Sequence, residues 1–126
     1  NGYNTYALGK WHLGEETSDH PNQRGFDEFY GFLAGSRSYF SLENPSKEKM
    51  LQHNGKRVVF DGYMTDVLGD QSVQFVADSK EKPFFMWFAS TDPHRNWGEN
   101  SFRKLCRKSS SSSIRASAAF SSSNNS

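Results

Sequence analysis

Cysteine is nearly missing from this chain: Cys106 stands alone among 126 residues. A single thiol excludes an intramolecular disulfide framework and any zinc cluster built on cysteines. Long apolar runs are missing as well, and nothing approaches the roughly 18 residues that a membrane-spanning helix needs. Net charge is almost nil, with 15 Lys and Arg against 14 Asp and Glu, so no global field selects nucleic acid or an acidic partner. An initiating Met is absent too, and the opening at Asn1 reads as a cut end. The lack of a signal peptide is therefore silent about compartment. Aliphatic residues are scarce, yet aromatics reach 15%, with 11 Phe, 5 Tyr and 3 Trp. The length is that of one domain.

Charge is unevenly spread. Residues 1–99 hold 10 basic and 14 acidic side chains, whereas residues 100–126 hold five basic and no acidic ones. The second stretch contains Ser109 to Ser113 and ends in Ser121-Ser122-Ser123-Asn124-Asn125-Ser126. It has too little apolar surface to offset its ordering entropy. The division is thus 1–98 as a partial domain and 99–126 as a low-complexity tail, disordered or read in a shifted frame.

Three elements precede the tail. Thr5-Tyr6-Ala7-Leu8, closed by Gly9, reads as a strand. Met64, Val67, Leu68, Phe75 and Val76 recur at the spacing of one helical face, and Asp61, Thr65 and Asp66 supply acceptors at its start. The spacing predicts a helix over 63–78. Pro83 then introduces Phe84-Phe85-Met86-Trp87-Phe88-Ala89, an apolar run without alternation. Such a strand is buried on both faces, as in a parallel sheet covered by helices. Asn54-Gly55 marks a hairpin between Leu51 and Phe60. Residues 15–50, rich in Gly, Pro, Asn and aromatics, read as long loops. The fold class is α/β.

In open α/β sheets ligands bind beyond the carboxyl ends of the strands. Gly9-Lys10-Trp11-His12-Leu13-Gly14 follows the first strand, and Ser90-Thr91-Asp92-Pro93-His94-Arg95 follows the last. Residues two apart in extended backbone face one side, so Lys10 and His12 converge. An ammonium and imidazoles together suit an oxyanion. By spacing alone the same string also fits a loop with a stacked indole, and His94 a surface loop. Asp92 fits a solvated loop carboxylate. His20 and His53 stand in polar, loop-like surroundings, and Cys106 lies at the edge of the tail; none of the three is given a role.

Taken together, these residues resemble the sulfatase family. Gly2-Tyr3-Asn4-Thr5-Tyr6-Ala7-Leu8-Gly9-Lys10-Trp11-His12-Leu13-Gly14 is similar to that family's second signature segment. His20 to Phe32, with Arg24-Gly25-Phe26-Asp27, resembles the loop that follows it, and Tyr63-Met64-Thr65-Asp66 and Lys82-Pro83-Phe84-Phe85 through Pro93-His94 come next in the family's order. The resemblance covers about residues 1–97. It implies an alkaline-phosphatase-like α/β/α sandwich with a mostly parallel sheet, present here in part. It also implies hydrolysis of sulfate esters by a formylglycine nucleophile beside calcium or another divalent cation. Carried over residue by residue, Lys10 matches the lysine that contacts sulfate. His12 matches the histidine that hydrogen-bonds the formylglycine hydroxyl, and His94 the histidine on the sulfate or leaving-group side.

The departures are equally specific. The nucleophile motif, Cys/Ser-x-Pro/Ala-x-Arg, is absent, and Cys106-Arg107-Lys108-Ser109 does not fit it. The family's paired acidic metal ligands are absent as well, so no metal ligand is assigned here. After His94 the chain reads Arg95-Asn96-Trp97 where the family usually has a nearby Pro. The chain is thus expected to be an internal piece of a sulfatase, inactive by itself. The formylglycine would lie upstream, and the compartment that the family suggests is periplasmic or extracellular. The expected partner is a sulfated small molecule or sulfated carbohydrate, with neither nucleic acid nor a membrane span. Two rivals remain: a phosphoester or phosphonate hydrolase of the same superfamily, and a non-catalytic remnant whose aromatic loop at 26–40 binds carbohydrate by stacking.

Overall fold

A computed structural model of the chain describes residues 2–91, all within one compact unit, Asn1–Arg95. Asp92, His94, Cys106 and the Ser-rich tail lie outside the described residues. The Thr-Tyr-Ala-Leu run extends in both directions into β1 (Asn4–Lys10). It is followed by β2 (Glu28–Phe32), β3 (Gln52–His53) and β4 (Lys56–Arg57), then α1 (Met64–Asp78) and β5 (Phe84–Ala89). The five strands form one sheet in the order β4-β3-β2-β1-β5. β1 pairs in parallel with both β2 and β5, whereas the β2–β3 and β3–β4 pairs are antiparallel. The class is α/β with parallel long strands, as expected.

The helix forms where the apolar spacing places it, with Tyr63 as its N-cap. It packs across β1 and β2 and closes a core of Tyr6, Leu8, Tyr30, Phe32, Leu51, Met64, Leu68 and Phe75. The Tyr6 and Phe75 rings stack at 4.4 Å, a contact worth about 1 kcal/mol beyond its buried area. Val76, expected on the packed face, is instead exposed, because Phe75 already fills the space over Tyr6. The opposite face of the sheet carries Ala7, Trp11, Phe29 and Leu33, with Phe26 and Trp87 against them. Among the described residues that face is flanked by loops and two single-turn 3-10 helices, Thr17–Asp19 and Pro21–Gln23, and by no α-helix, so the three-layer sandwich is present in part.

Two expectations need correction. Residues 15–50 are not all loop: Glu28–Phe32 is a strand at the centre of the sheet. Its residues are buried on both faces, so no alternation marked it. The run Phe84–Ala89 is a strand, but it is not enclosed. β5 pairs with β1 on one side and, among the described residues, forms the sheet's edge on the other, with Met86 alone of its side chains against the core that α1 closes. Phe85 is accordingly 54% exposed, and Phe84 and Phe88 are exposed as well.

Candidate functional site

The carboxyl ends of the three parallel strands are drawn together by missing side chains. Gly9 faces Gly31 in register and Ala89 on its other side. A Cβ on Gly31 would run into the Gly9 carbonyl oxygen, and one on Gly9 into the Ala89 carbonyl oxygen. Gly9 also takes a φ of 96°, which a side chain would strain. Lys10 follows, opposite Phe32. The ladder runs two residues further: the Trp11 N–H donates to the Phe32 carbonyl at 2.9 Å and the His12 N–H to the Leu33 carbonyl at 3.0 Å.

Trp11 is immobilised on the face away from α1. Its indole N–H donates to the Asp19 carbonyl at 2.8 Å, and its ring meets Trp87 and Phe26 edge-on. The packed indole that the sequence allowed is thus present, with edge-on contacts. Lys10, between Gly9 and Trp11, takes the α1 face with Phe32 and Leu8. His12 does not stand on that face by strand alternation, as was expected, because its φ is 54°. A left-handed residue breaks the period of two, and the imidazole is aimed by what it packs on. That support is Gly35, where a Cβ would lie 2.5 Å from His12 Nε2. Among the described residues neither the Lys10 nor the His12 side chain has a hydrogen-bond or ion-pair partner. His94, expected to complete the site, lies outside the described residues, as does Asp92.

The other histidines are engaged. His20 Nε2 bonds the Gln52 side chain at 3.0 Å, and His53 pairs with Glu28 at 2.9 Å. An open groove of about 560 Å³ runs past Glu16, His20, Asn22, Gln52 and Asn54 but includes neither Lys10 nor His12. Its amides are engaged within the fold: Asn54 Oδ1 accepts from the Phe29 N–H and from Asn22 Nδ2, and Asn22 Nδ2 also donates to the Phe26 and Asp27 carbonyls. The aromatics at 26–40 are not a stacking platform, since Phe29 and Phe32 are fully buried and Tyr39 stacks on Tyr63. That removes the support for the carbohydrate-stacking remnant. No group of three or more His, Cys, Asp or Glu among the described residues is arranged to hold a metal ion. The divalent cation implied by the family therefore does not fit these residues. Two neighbours escaped the sequence: Gly35, against the His12 ring, and Arg37, buried in the same loop. Neither sits in a motif with a pattern of its own.

Parallel strands that carry a lysine and a histidine, both unpaired among the described residues, at the end of one strand define an α/β protein with a candidate ligand site there. The model of the Sulfatase family matches residues 1–123, and the chain belongs to the sulfatase family. It is 35% identical over 97 residues to the N-acetylglucosamine-6-O-sulfatase of Bacteroides thetaiotaomicron, covering 76% of this chain and 15% of that protein. To the arylsulfatase of Klebsiella aerogenes it is 36% identical over 101 residues, covering 74% of this chain and 22% of that one. The crystal structure of Ps i-CgsB in complex with k-i-k-neocarrahexaose matches with a TM-score of 0.66 and 41% identity, over 75% of this chain and 25% of that chain. The chain thus spans a quarter or less of the length of these relatives.

Proposed function

We propose that this chain forms the sulfate-side part of a sulfatase, an enzyme that hydrolyses sulfate esters. The Lys10 ammonium supplies charge to the sulfuryl oxygens. His12 supplies a directed N–H donor or a proton beside them, and His94 serves the leaving-group side. The formylglycine nucleophile and the divalent cation belong, on this proposal, to residues other than those described. The observation that carries it is the pair of unpartnered cationic and imidazole groups at the end of β1, with His12 in a left-handed conformation. Unfavourable backbone held in place by its surroundings is a mark of functional sites. The substrate class is a sulfated carbohydrate or small molecule. The neocarrahexaose bound by Ps i-CgsB and the sugar in the Bacteroides relative's name favour a carbohydrate.

A graft tests this. Residues 1–97 replace the matching segment of the Klebsiella arylsulfatase, and turnover of an aryl sulfate is measured. The graft is expected to work above background, with Lys10→Ala and His12→Ala each lowering kcat/KM about 10²- to 10³-fold. A folded graft indifferent to both substitutions would falsify the assignment. Preference for a phosphate monoester over the sulfate ester would favour the superfamily rival. The chain by itself is expected to give no turnover, and measurable hydrolysis by it would contradict that.

A further inference from the structure

Arg37 is a buried cation without an anion. It is 8% exposed, and its guanidinium donates to three backbone carbonyls. Nε bonds Ser38 at 2.9 Å, Nη1 bonds Lys49 at 2.9 Å and Nη2 bonds Phe40 at 3.1 Å. Its plane lies over the rings of Phe32 and Phe60, at 5.8 and 5.3 Å. The ion pairs of the described residues are Arg24–Asp19 and His53–Glu28, so no carboxylate among them neutralises it. Glu48, close by in the same loop, is engaged by the Ser46 hydroxyl. Burial pushes Arg37 down to about 10, so it remains charged at neutral pH.

Three carbonyls take three donors, which the guanidinium fork supplies and a single amide cannot. Its charge is buried at a cost along with them, and the position of that charge bears on the strand beside it. Phe32, under the guanidinium, stands in register with Lys10 on the adjacent parallel strand. The two side chains leave the same face of the sheet. Arg37 is thereby placed roughly 10–15 Å from the Lys10 strand position, given the usual strand spacing. The loop it binds is the one that supports His12. Leu33 and Ala34 N–H groups both donate to the Glu48 carbonyl, closing the loop at its neck. Gly35, against the His12 ring, lies inside it.

We propose that Arg37 is a positioning residue of the sulfate-side site: a fixed buried charge beside Lys10 that strengthens anion binding there, and a clamp on the loop that aims His12. It rests on the reading of Lys10 and His12 as an oxyanion site. Coulomb interaction across that distance, between protein and water screening, corresponds to about two- to tenfold in anion affinity and in Lys10 protonation.

The test is competitive acylation of lysines at pH 8 on the full chain at micromolar concentration, read by mass spectrometry, with exposed Lys56 as internal reference. Inorganic sulfate is the probe, scored by the concentration that half-protects Lys10. Arg37→Gln removes the charge and keeps at most two of the donors. It is expected to slow Lys10 acylation two- to tenfold, through loss of a neighbouring positive charge, and to raise the half-protecting sulfate concentration by a similar factor. A merely structural arginine would leave the Lys10 rate unmoved. A folded Arg37→Gln chain matching the parent in both readings overturns the role of Arg37 alone. No protection of the parent's Lys10 by sulfate overturns the oxyanion site and Arg37 with it. If Arg37→Gln loses the circular dichroism of α1, Arg37→Lys decides, because it keeps the charge. Values within twofold of the parent support the proposal, and a tenfold loss of protection overturns it.

Discussion

His12 is held where an L-residue pays for its backbone, since a left-handed φ costs roughly 1–2 kcal/mol outside glycine. His12→Gly should therefore hold or raise the melting temperature while abolishing sulfate protection of Lys10. Loss of both together would mean that the ring is a packing residue. Gly35→Ala tests the same support from the other side. The new Cβ would displace the imidazole, and sulfate protection should weaken severalfold with little change in stability. A third residue carries the acid dependence. Asp27 Oδ2 accepts from the Thr5 backbone N–H and hydroxyl, both at 2.9 Å. The backbone bond first, then the hydroxyl, hold the Asp27 carboxyl below its ordinary value of 3.8. Folding thus favours the ionised form. The stability gained is complete above the ordinary carboxylate value and is lost as pH falls through the lower folded one. Asp27→Asn should flatten that part of the acid limb of a urea-midpoint profile, at pH values below its ordinary 3.8.

Elements differ in how openly the sequence displays them. The β3–β4 hairpin is carried by Asn54-Gly55, both at positive φ, 50° and 85°, the pairing that tight hairpin turns demand. Asn54 also reaches out of the turn to the Phe29 N–H, so one residue ties the hairpin to the central strand. Asn54→Ala should cost about 2 kcal/mol by denaturant unfolding. Asn54→Gly should cost less, because it relieves the backbone and loses only the side-chain bonds. The hairpin, α1 and β1 were legible because turn chemistry and periodicity are local. β2 was not: Phe29-Tyr30-Gly31-Phe32 lies among glycines and prolines that read as loop, and its strand character depends on β1 beside it. The site was legible as far as Lys10 and His12 at a strand end. The alternation argument for their convergence fails, since His12 has a left-handed backbone that has no sequence signature. Gly35 and Arg37 act through contacts across the fold, which spacing along the chain does not encode.

For the whole molecule the exposed edge dominates. Among the described residues β5 has an unpaired strand rim beside Phe84, Phe85 and Phe88, the combination that invites strand-to-strand association. The chain is expected to self-associate with concentration in sedimentation velocity, and Phe85→Lys to suppress this. A parent chain that stays monomeric and melts cooperatively would contradict that expectation. No helix among the described residues is long and apolar enough to cross a membrane. One further consequence lies in time. β1 finds β2 within a short span, Tyr6 opposite Glu28, but meets β5 with Asn4 opposite Phe84, eighty residues along the chain. Closing the longer loop costs on the order of 1 kcal/mol more entropy. Docking of β5 is therefore expected to set the pace of folding, in the millisecond-to-second range of sheets with distant partners. The Gly9 bend next to Lys10, which closes on Ala89, is then the last part of the sheet to form.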